Sequence, residues 1–198
     1  MKLNLGCGYT KRGDGWTNVD HNPAMEPDVC LDLEQLPWPW SHDSVDEMQA
    51  IHSLEHLGQM RDVFTGIIKE AYRVMKAGAL WTIVVPDPCH DAYFGDWTHV
   101  RPIVPATMQL FSQKYNRESV ANGWPNTVGG FMLGVDFDQV SVQGILDPAW
   151  AHLGNDPTKA EAMRRLHRNV VIEWHIVMQA VKPAGSTLLE VQASASNA

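Results

Sequence analysis

The chain has 198 residues, enough for one domain with a full core. Its 23 acidic and 15 basic residues give a net charge of -8, which excludes a broad basic face and makes nucleic acid an unfavoured partner. No apolar run approaches the roughly 18 residues of a membrane span, so no membrane role is expected.

Lys2–Leu5 reads as a strand running into Gly6-Cys7-Gly8, and Trp16–Asp20 as a second strand. Only seven residues, Tyr9 to Gly15, separate Gly8 from Trp16. A parallel crossover usually takes about a dozen or more, so the first helix must be missing or cut to a turn. Residues 28–32 suggest a third short strand, and 33–42 a loop carrying Leu36-Pro37-Trp38-Pro39-Trp40. Val45–Ile51 is a candidate strand. Residues 60–75 have helical spacing, with Val63, Phe64, Ile67, Ile68, Ala71 and Val74 on one stripe; Gly78 and Lys76 suit its end. Residues 79–85 form the clearest buried strand, ended by Pro86. Residues 87–135 are rich in Pro, Gly, His and aromatic residues, with one modest helical pattern over 105–115, and read as an irregular lid over an acceptor site. A strand over 140–146 follows, then a helix over 158–167 capped by Asp156 with Pro157 in its first turn. Residues 170–181 fit helix or strand. A turn at 183–185, a closing strand over 187–191 and a loose tail at 194–198 complete the chain. The expectation is an α/β fold, a single domain over 1–193 with a mostly parallel sheet, whose ligands lie outside the carboxyl ends of the strands.

Cys7, Cys30 and Cys89 are odd in number and far apart. They argue against a disulfide scaffold and for a reducing, cytoplasmic setting. Cys7 reads as a small buried spacer. Arg164, Arg165, His167 and Arg168 form the one local basic patch. The opening Met-Lys-Leu-Asn reads as a strand and not a signal peptide. The sequence leaves the oligomeric state open, a homo-oligomer included.

Three constellations carry chemistry. A strand entering Gly6-x-Gly8 brings bare backbone to the sheet edge, and Asp20 soon after can accept hydrogen bonds from a ribose diol. The run is not Gly-x-Gly-x-x-Gly and has no phosphate-loop Lys, so a dinucleotide or triphosphate is disfavoured. His52-Ser53-Leu54-Glu55-His56 matches the inverted zinc-peptidase pattern. On a helix, His52 and His56 would share a face with Glu55 beside them, which makes zinc hydrolysis one rival function. Asp96, Thr98, His99 and Arg101 offer an acid, a hydroxyl, an imidazole and a planar cation just past the buried strand, or else an ion-paired structural loop.

Four stretches together resemble the small bacterial and phage members of the class I, Rossmann-like S-adenosylmethionine-dependent methyltransferases. They are Leu3-Asn4-Leu5-Gly6-Cys7-Gly8, Asn18-Val19-Asp20, His52-Ser53-Leu54-Glu55-His56-Leu57, and Glu70 to Gly78 running into the buried strand. The resemblance covers residues 3–101 well. It implies S-adenosylmethionine as cofactor, seated on Leu5, Gly6, Cys7 and Gly8, with Asp20 on the ribose, Asp32 and Leu33 bordering the adenine, and His52 on the methionine or methyl side. No metal is implied. Similar methyltransferases carry an Asp-x-Thr-His-x-Arg run, matched here by Asp96, Thr98, His99 and Arg101. His99 is then the preferred base, Asp96 and His52 are further catalytic candidates, and Trp97, Thr98 and Arg101 would bind the acceptor, an oxygen or nitrogen of a small molecule. A second reading keeps the Gly6–Asp20 seat in a non-catalytic S-adenosylmethionine-binding or interaction protein that uses 102–135 as an interface. Asp87-Pro88-Cys89-His90 lacks the aromatic residue of the base-amine methyltransferase signature, so base flipping is not expected.

Overall fold

The structure is a computed structural model that describes residues 1–154 and 156–185. Its strands are β1 (Lys2–Leu5), β2 (Trp16–Asp20), β3 (Val29–Cys30), β4 (Val45–Ile51), β5 (Met75–Pro86), β6 (Phe137–Leu146) and β7 (Val171–Ala180). They form one sheet in the order β3-β2-β1-β4-β5-β7-β6. The first five run parallel, while β7 lies antiparallel between β5 and β6. Its helices are α1 (Arg61–Val74), α2 (Asp91–Phe94), α3 (Pro105–Gln109), α4 (Gln113–Ala121), α5 (Gly129–Leu133) and α6 (Pro157–Leu166). From β1 the chain moves outward to β2 and β3, then returns to place β4 on the other side of β1. That reversal opens a crevice at the carboxyl ends of β1 and β4, where ligands of open α/β sheets bind.

The core follows from strand alternation. Leu3, Met48, Trp81 and Met178 stand side by side across β1, β4, β5 and β7, and Leu5, Ala50, Ile83 and Ile176 make the next row. All are buried in one cluster with Phe64, Ile67, Ile68, Ala71 and Val74 of α1. The other face of β1, β2 and β4 carries Asn4, Asn18 and Gln49 in one row, all buried. Asn4 Nδ2 donates to Asn18 Oδ1 (2.9 Å), and Gln49 Nε2 donates to Asn4 Oδ1 (2.8 Å). Asn4 Nδ2 also donates to the Thr10 carbonyl, Arg12 N to Asn18 Oδ1 and Arg12 Nε to Gln49 Oε1. A hydrogen-bonded loop therefore replaces the first crossover helix, and the polar row beneath it is the reason the loop can lie there.

Helix α1 matches the expected 60–75 to within a residue at each end, but Gly78 does not stop it. Its last carbonyls, on Arg73 and Val74, accept from Asp43 N and Ser44 N, and β5 starts at once. Gly78 sits inside β5 at φ +79°, where the β4–β5 register slips. Lys76 lies on the strand and pairs with Asp46 (2.6 Å). The expected irregular lid is partly helical. Met108 and Phe111 enter the main core, and Phe111 lies 6.2 Å from Phe64 between ring centroids. Gly129 and Gly130 allow α5 to start against Leu110, Phe111 and Asn116, where a Cβ would come within 3.0 Å of the Leu110 carbonyl or Asn116 Oδ1. Residues 171–180 form a strand because they lie inside the sheet. Asp156 caps α6 by accepting from Thr158 N and Lys159 N. The closing strand expected at 187–191 and the tail at 194–198 lie outside the described residues. No described helix is long and apolar enough to cross a membrane.

The Trp38–Trp40 loop is fastened to α1 by one ion pair. Arg73 donates to Glu70 (2.7 and 2.8 Å) and to the carbonyls of Trp38 and Trp40, while Glu70 Oε2 accepts from Trp38 N. The Arg73 bond, with the Trp38 N–H behind it, holds the Glu70 carboxyl below its ordinary 4.5 despite burial. A lowered carboxyl stabilises fully above 4.5, and that contribution fades as pH falls through the lowered value. Glu70→Gln is expected to cost about 1.5 kcal/mol at neutral pH, with the deficit shrinking below 4.5. Urea denaturation of both proteins across pH checks this.

Candidate cofactor and acceptor site

The end of β1 builds the cradle. The Leu5 side chain is in the core, and its carbonyl accepts from Ser53 Oγ (2.9 Å). Gly6 turns the chain at φ +63°, and a Cβ there would overlap Ser53 Cβ. Cys7 N donates to the Val19 carbonyl (2.9 Å), and its buried thiol is pushed up by burial and by the Asp20 carboxylate. Gly8, at φ +47°, donates its N–H to Asp20 Oδ2 (2.8 Å). Asp20 Oδ1 accepts from Asn22 N (2.9 Å). Apart from Gly8 itself and the adjoining Cys7 and Tyr9, no heavy atom lies within 4 Å of where a Gly8 Cβ would stand. The bare backbone of Gly8 thus faces open space beside a buried carboxylate. Each oxygen of that carboxylate takes one N–H and keeps a lone pair for a ligand hydroxyl. These residues fit a ribose-bearing cofactor.

Asp32 and Leu33 lie in the loop after β3. Asp32 is exposed and closes an Asx turn by accepting from Glu34 N (2.9 Å). The Leu33 side chain belongs to the core, and its carbonyl accepts from Trp38 Nε1 (3.0 Å). Asp32 is therefore partly engaged by its own loop, and Leu33 offers a ligand at most its backbone.

His52 follows β4 in left-handed backbone (φ +49°), with its N–H on the Val84 carbonyl. Its half-exposed ring places Nε2 3.0 Å from Glu173 Oε2 and Nδ1 3.6 Å from Glu55 Oε1. Glu55 foremost, and then Glu173, holds the imidazole above its ordinary 6.5 against the effect of burial. His175 Nε2 meets the other Glu173 oxygen at 2.7 Å. Glu173 thus bridges two imidazoles, a role not anticipated from the sequence; the one signal there was a charge inside an apolar run. The zinc-peptidase pattern fails geometrically. His52 ends a strand, Leu54–His56 is a single 3₁₀ turn, and the two imidazoles engage different partners.

Asp96, Thr98, His99 and Arg101 are near one another, yet the loop itself uses most of their groups. Asp96 Oδ1 accepts from Thr98 N (2.8 Å) and Thr98 Oγ1 (2.6 Å), which hold its carboxyl below the usual range and make it a weak base. Thr98 Oγ1 also meets His56 Nδ1 (2.9 Å). The His99 side chain is 8% exposed. Its Nδ1 bonds the Tyr93 carbonyl (2.6 Å), and its ring lies against Tyr93 and His56. Arg101 donates Nε (3.0 Å) and Nη2 to the Gly58 carbonyl and stacks its guanidinium 4.1 Å from the centre of Phe64. These bonds occupy the Nε–Nη2 edge of the guanidinium. Trp97, by contrast, is 91% exposed. With Phe94, Tyr93, His99 and Pro88 it lines a cavity of about 510 Å³.

The expected basic patch is consumed locally. Arg164 Nε donates to the fully buried Asp87 (2.7 Å), which also accepts from Trp174 Nε1 (3.0 Å). Arg165 pairs with Glu161, and Arg168 with Asp91.

No protein-family model matches this chain, and no curated protein matches it by sequence. Solved structures do match. A SAM-dependent methyltransferase from Archaeoglobus fulgidus superposes with a TM-score of 0.58 at 16% identity, over 90% of this chain and 85% of that one. The 1,6-didemethyltoxoflavin-N1-methyltransferase of Burkholderia thailandensis gives 0.51 at 11% identity, over 91% and 71%. The [4+2]-cyclase SpnF gives 0.52 at 12% identity, over 91% and 74%. The fold is that of the class I, Rossmann-like methyltransferases. The cyclase shares this architecture, so activity must be argued from the site.

Proposed function

We propose that this protein transfers a methyl group from S-adenosylmethionine to an oxygen or nitrogen atom of a small molecule. The observation that carries the reading is the cradle at the β1–β4 reversal. There Gly6 is packed on Ser53, Gly8 faces open space, and the Asp20 carboxylate fixes the loop while keeping acceptor capacity. When bound, the cofactor supplies a methyl carbon already activated by a sulfonium. The chain's own part is alignment, which can lower a barrier by about 7–11 kcal/mol in well-oriented cases, and removal of the acceptor's proton. Gly6 and Gly8 admit the ligand to the backbone, and Asp20 receives its hydroxyls. Trp97 and Phe94 offer aromatic walls that suit a flat or apolar acceptor. His52, half exposed at the end of β4, donates Nε2–H to Glu173 and takes the proton at Nδ1, where the Glu55 carboxylate 3.6 Å away favours the imidazolium. His99 is less suited, because its ring is enclosed by Tyr93 and His56.

Label from methyl-labelled S-adenosylmethionine should pass to members of a panel of small hydroxyl and amine compounds. Failure of transfer to every class, with cofactor binding intact, would favour the non-catalytic reading. Asp20→Ala is expected to weaken S-adenosylhomocysteine binding about 10–100-fold, because the ligand's hydroxyls lose their acceptor and Gly8 N loses its anchor. Unchanged affinity in a calorimetric titration would remove Asp20 from the site.

A further inference from the structure

We propose that Glu55, His56 and His99 form a binding site for a divalent transition-metal ion of the zinc class, distinct from the cofactor cradle. One ligand atom from each of the three lies within 4.8 Å of the others, the one such group among the described residues. A tetrahedral ion with bonds of about 2.0–2.1 Å needs donors about 3.4 Å apart, so the shift required is small. The decisive observation is Glu55. Its side chain is 1% exposed, and neither carboxylate oxygen receives a hydrogen bond. The nearest cationic group is His52 Nδ1 at 3.6 Å. That ion pair leaves both oxygens without a hydrogen bond, and a buried carboxylate in that state is costly unless a cation meets it closely.

The two imidazoles are prepared in the way metal-binding histidines are. Such a histidine donates its second N–H to a carbonyl or carboxylate, which fixes the tautomer and leaves the other nitrogen's lone pair for the ion. His99 donates Nδ1–H to the Tyr93 carbonyl (2.6 Å). Thr98 has one hydroxyl proton, which goes to the Asp96 carboxylate (2.6 Å), so Thr98 Oγ1 accepts from His56 Nδ1 (2.9 Å). Both rings therefore keep a lone pair on Nε2. The loop is clipped in place: Val100 N and Arg101 N both donate to the Glu55 carbonyl (3.0 and 3.1 Å), which sets the His99 ring 4.7 Å from His56. This arrangement gives the run Asp96-x-Thr98-His99 a purpose that proton transfer does not. Two imidazoles and one carboxylate leave a fourth position for water.

The test uses the full chain, stripped of metal with a chelator and titrated with cobalt(II) by visible absorption, then with zinc as competitor. One ion per chain, bound at micromolar concentration or tighter, is expected. Glu55→Gln, which keeps the volume, and His99→Asn should each weaken binding about 100-fold. Thr98→Val, which removes the support of His56, should weaken it about 10-fold or more. His52→Gln should leave it within about threefold. A folded wild type with no saturable binding below about 1 mM overturns the site. So does a Glu55→Gln protein that binds as wild type, or equal loss in His52→Gln, which would give the ion to a different pair. Should His99→Asn fail to fold, the wild-type and Glu55→Gln titrations decide alone.

Discussion

Replacing His52 with glutamine is expected to slow methyl transfer about 10²–10⁴-fold, the usual range for a positioned proton acceptor. S-adenosylhomocysteine affinity should stay within about threefold, under roughly 0.7 kcal/mol. His52 is held in left-handed backbone at the carboxyl end of β4, its N–H fixed by the Val84 carbonyl and its ring by Glu173. Residues rarely adopt that backbone without a tertiary reason, and here it directs the imidazole to Glu173 and Glu55. Glu173→Gln should reproduce part of the loss, because the ring keeps a hydrogen-bond partner but loses the charge opposite it. Single-turnover kinetics with a labelled acceptor check both variants. A His52→Gln enzyme that turns over at the wild-type rate would reduce His52 to a scaffold residue.

Gly6→Ala is expected to cost about 3 kcal/mol of stability, against about 1–2 kcal/mol for Gly8→Ala. Both glycines have positive φ, so both variants carry the left-handed strain of an L residue. Only at Gly6 does the new Cβ also strike a neighbour, Ser53 Cβ. Ser53 cannot step back easily, since its hydroxyl is bonded to the Leu5 carbonyl on the same turn. Relief must come from separating the ends of β1 and β4, the two strands that frame the crevice. Cofactor affinity should therefore fall in Gly6→Ala by at least about 30-fold. Urea unfolding of the two variants is the comparison. Equal losses would mean that the approach of Gly6 to Ser53 is not what shapes this edge.

Much of this architecture could be read from residue order. β1, β2 and β4 fall where alternation and the Gly-x-Gly exit put them, and the short Gly8–Trp16 connection announced a crossover without a helix. The row Asn4, Asn18 and Gln49 that makes such a crossover tolerable was not legible, because it depends on register across three strands. The end of α1 falls within a residue of the expected one, but Gly78 is not what stops it, since it serves a bulge in β5. The loop before β4 ends the helix instead, through long-range bonds that leave no local pattern. Between β5 and β6 one helical pattern was read, over 105–115, where α3 and the start of α4 lie; α2 and α5, of four and five residues, are too short to show a 3.6-residue period. In the site, Gly6, Gly8 and Asp20 were visible as a motif. Glu173 was not, since only the pairing of β7 with β5 carries it within reach of His52 at the end of β4. Residues 96–101 looked like free chemistry in sequence. The hydrogen bonds of Thr98 to Asp96 and of Arg101 to Gly58, neither deducible from spacing, show where those groups are spent.

The edge built by Gly6, Gly8 and Asp20 is expected to hold S-adenosylmethionine. Calorimetric titration of the wild-type protein with S-adenosylhomocysteine tests it most directly. The expected result is one site per chain with a micromolar Kd, about 7–8 kcal/mol of binding free energy, and heat that is lost in Gly6→Ala. A folded wild-type sample that gives no heat with either S-adenosylhomocysteine or S-adenosylmethionine, and no ligand-induced rise in melting temperature, would contradict it.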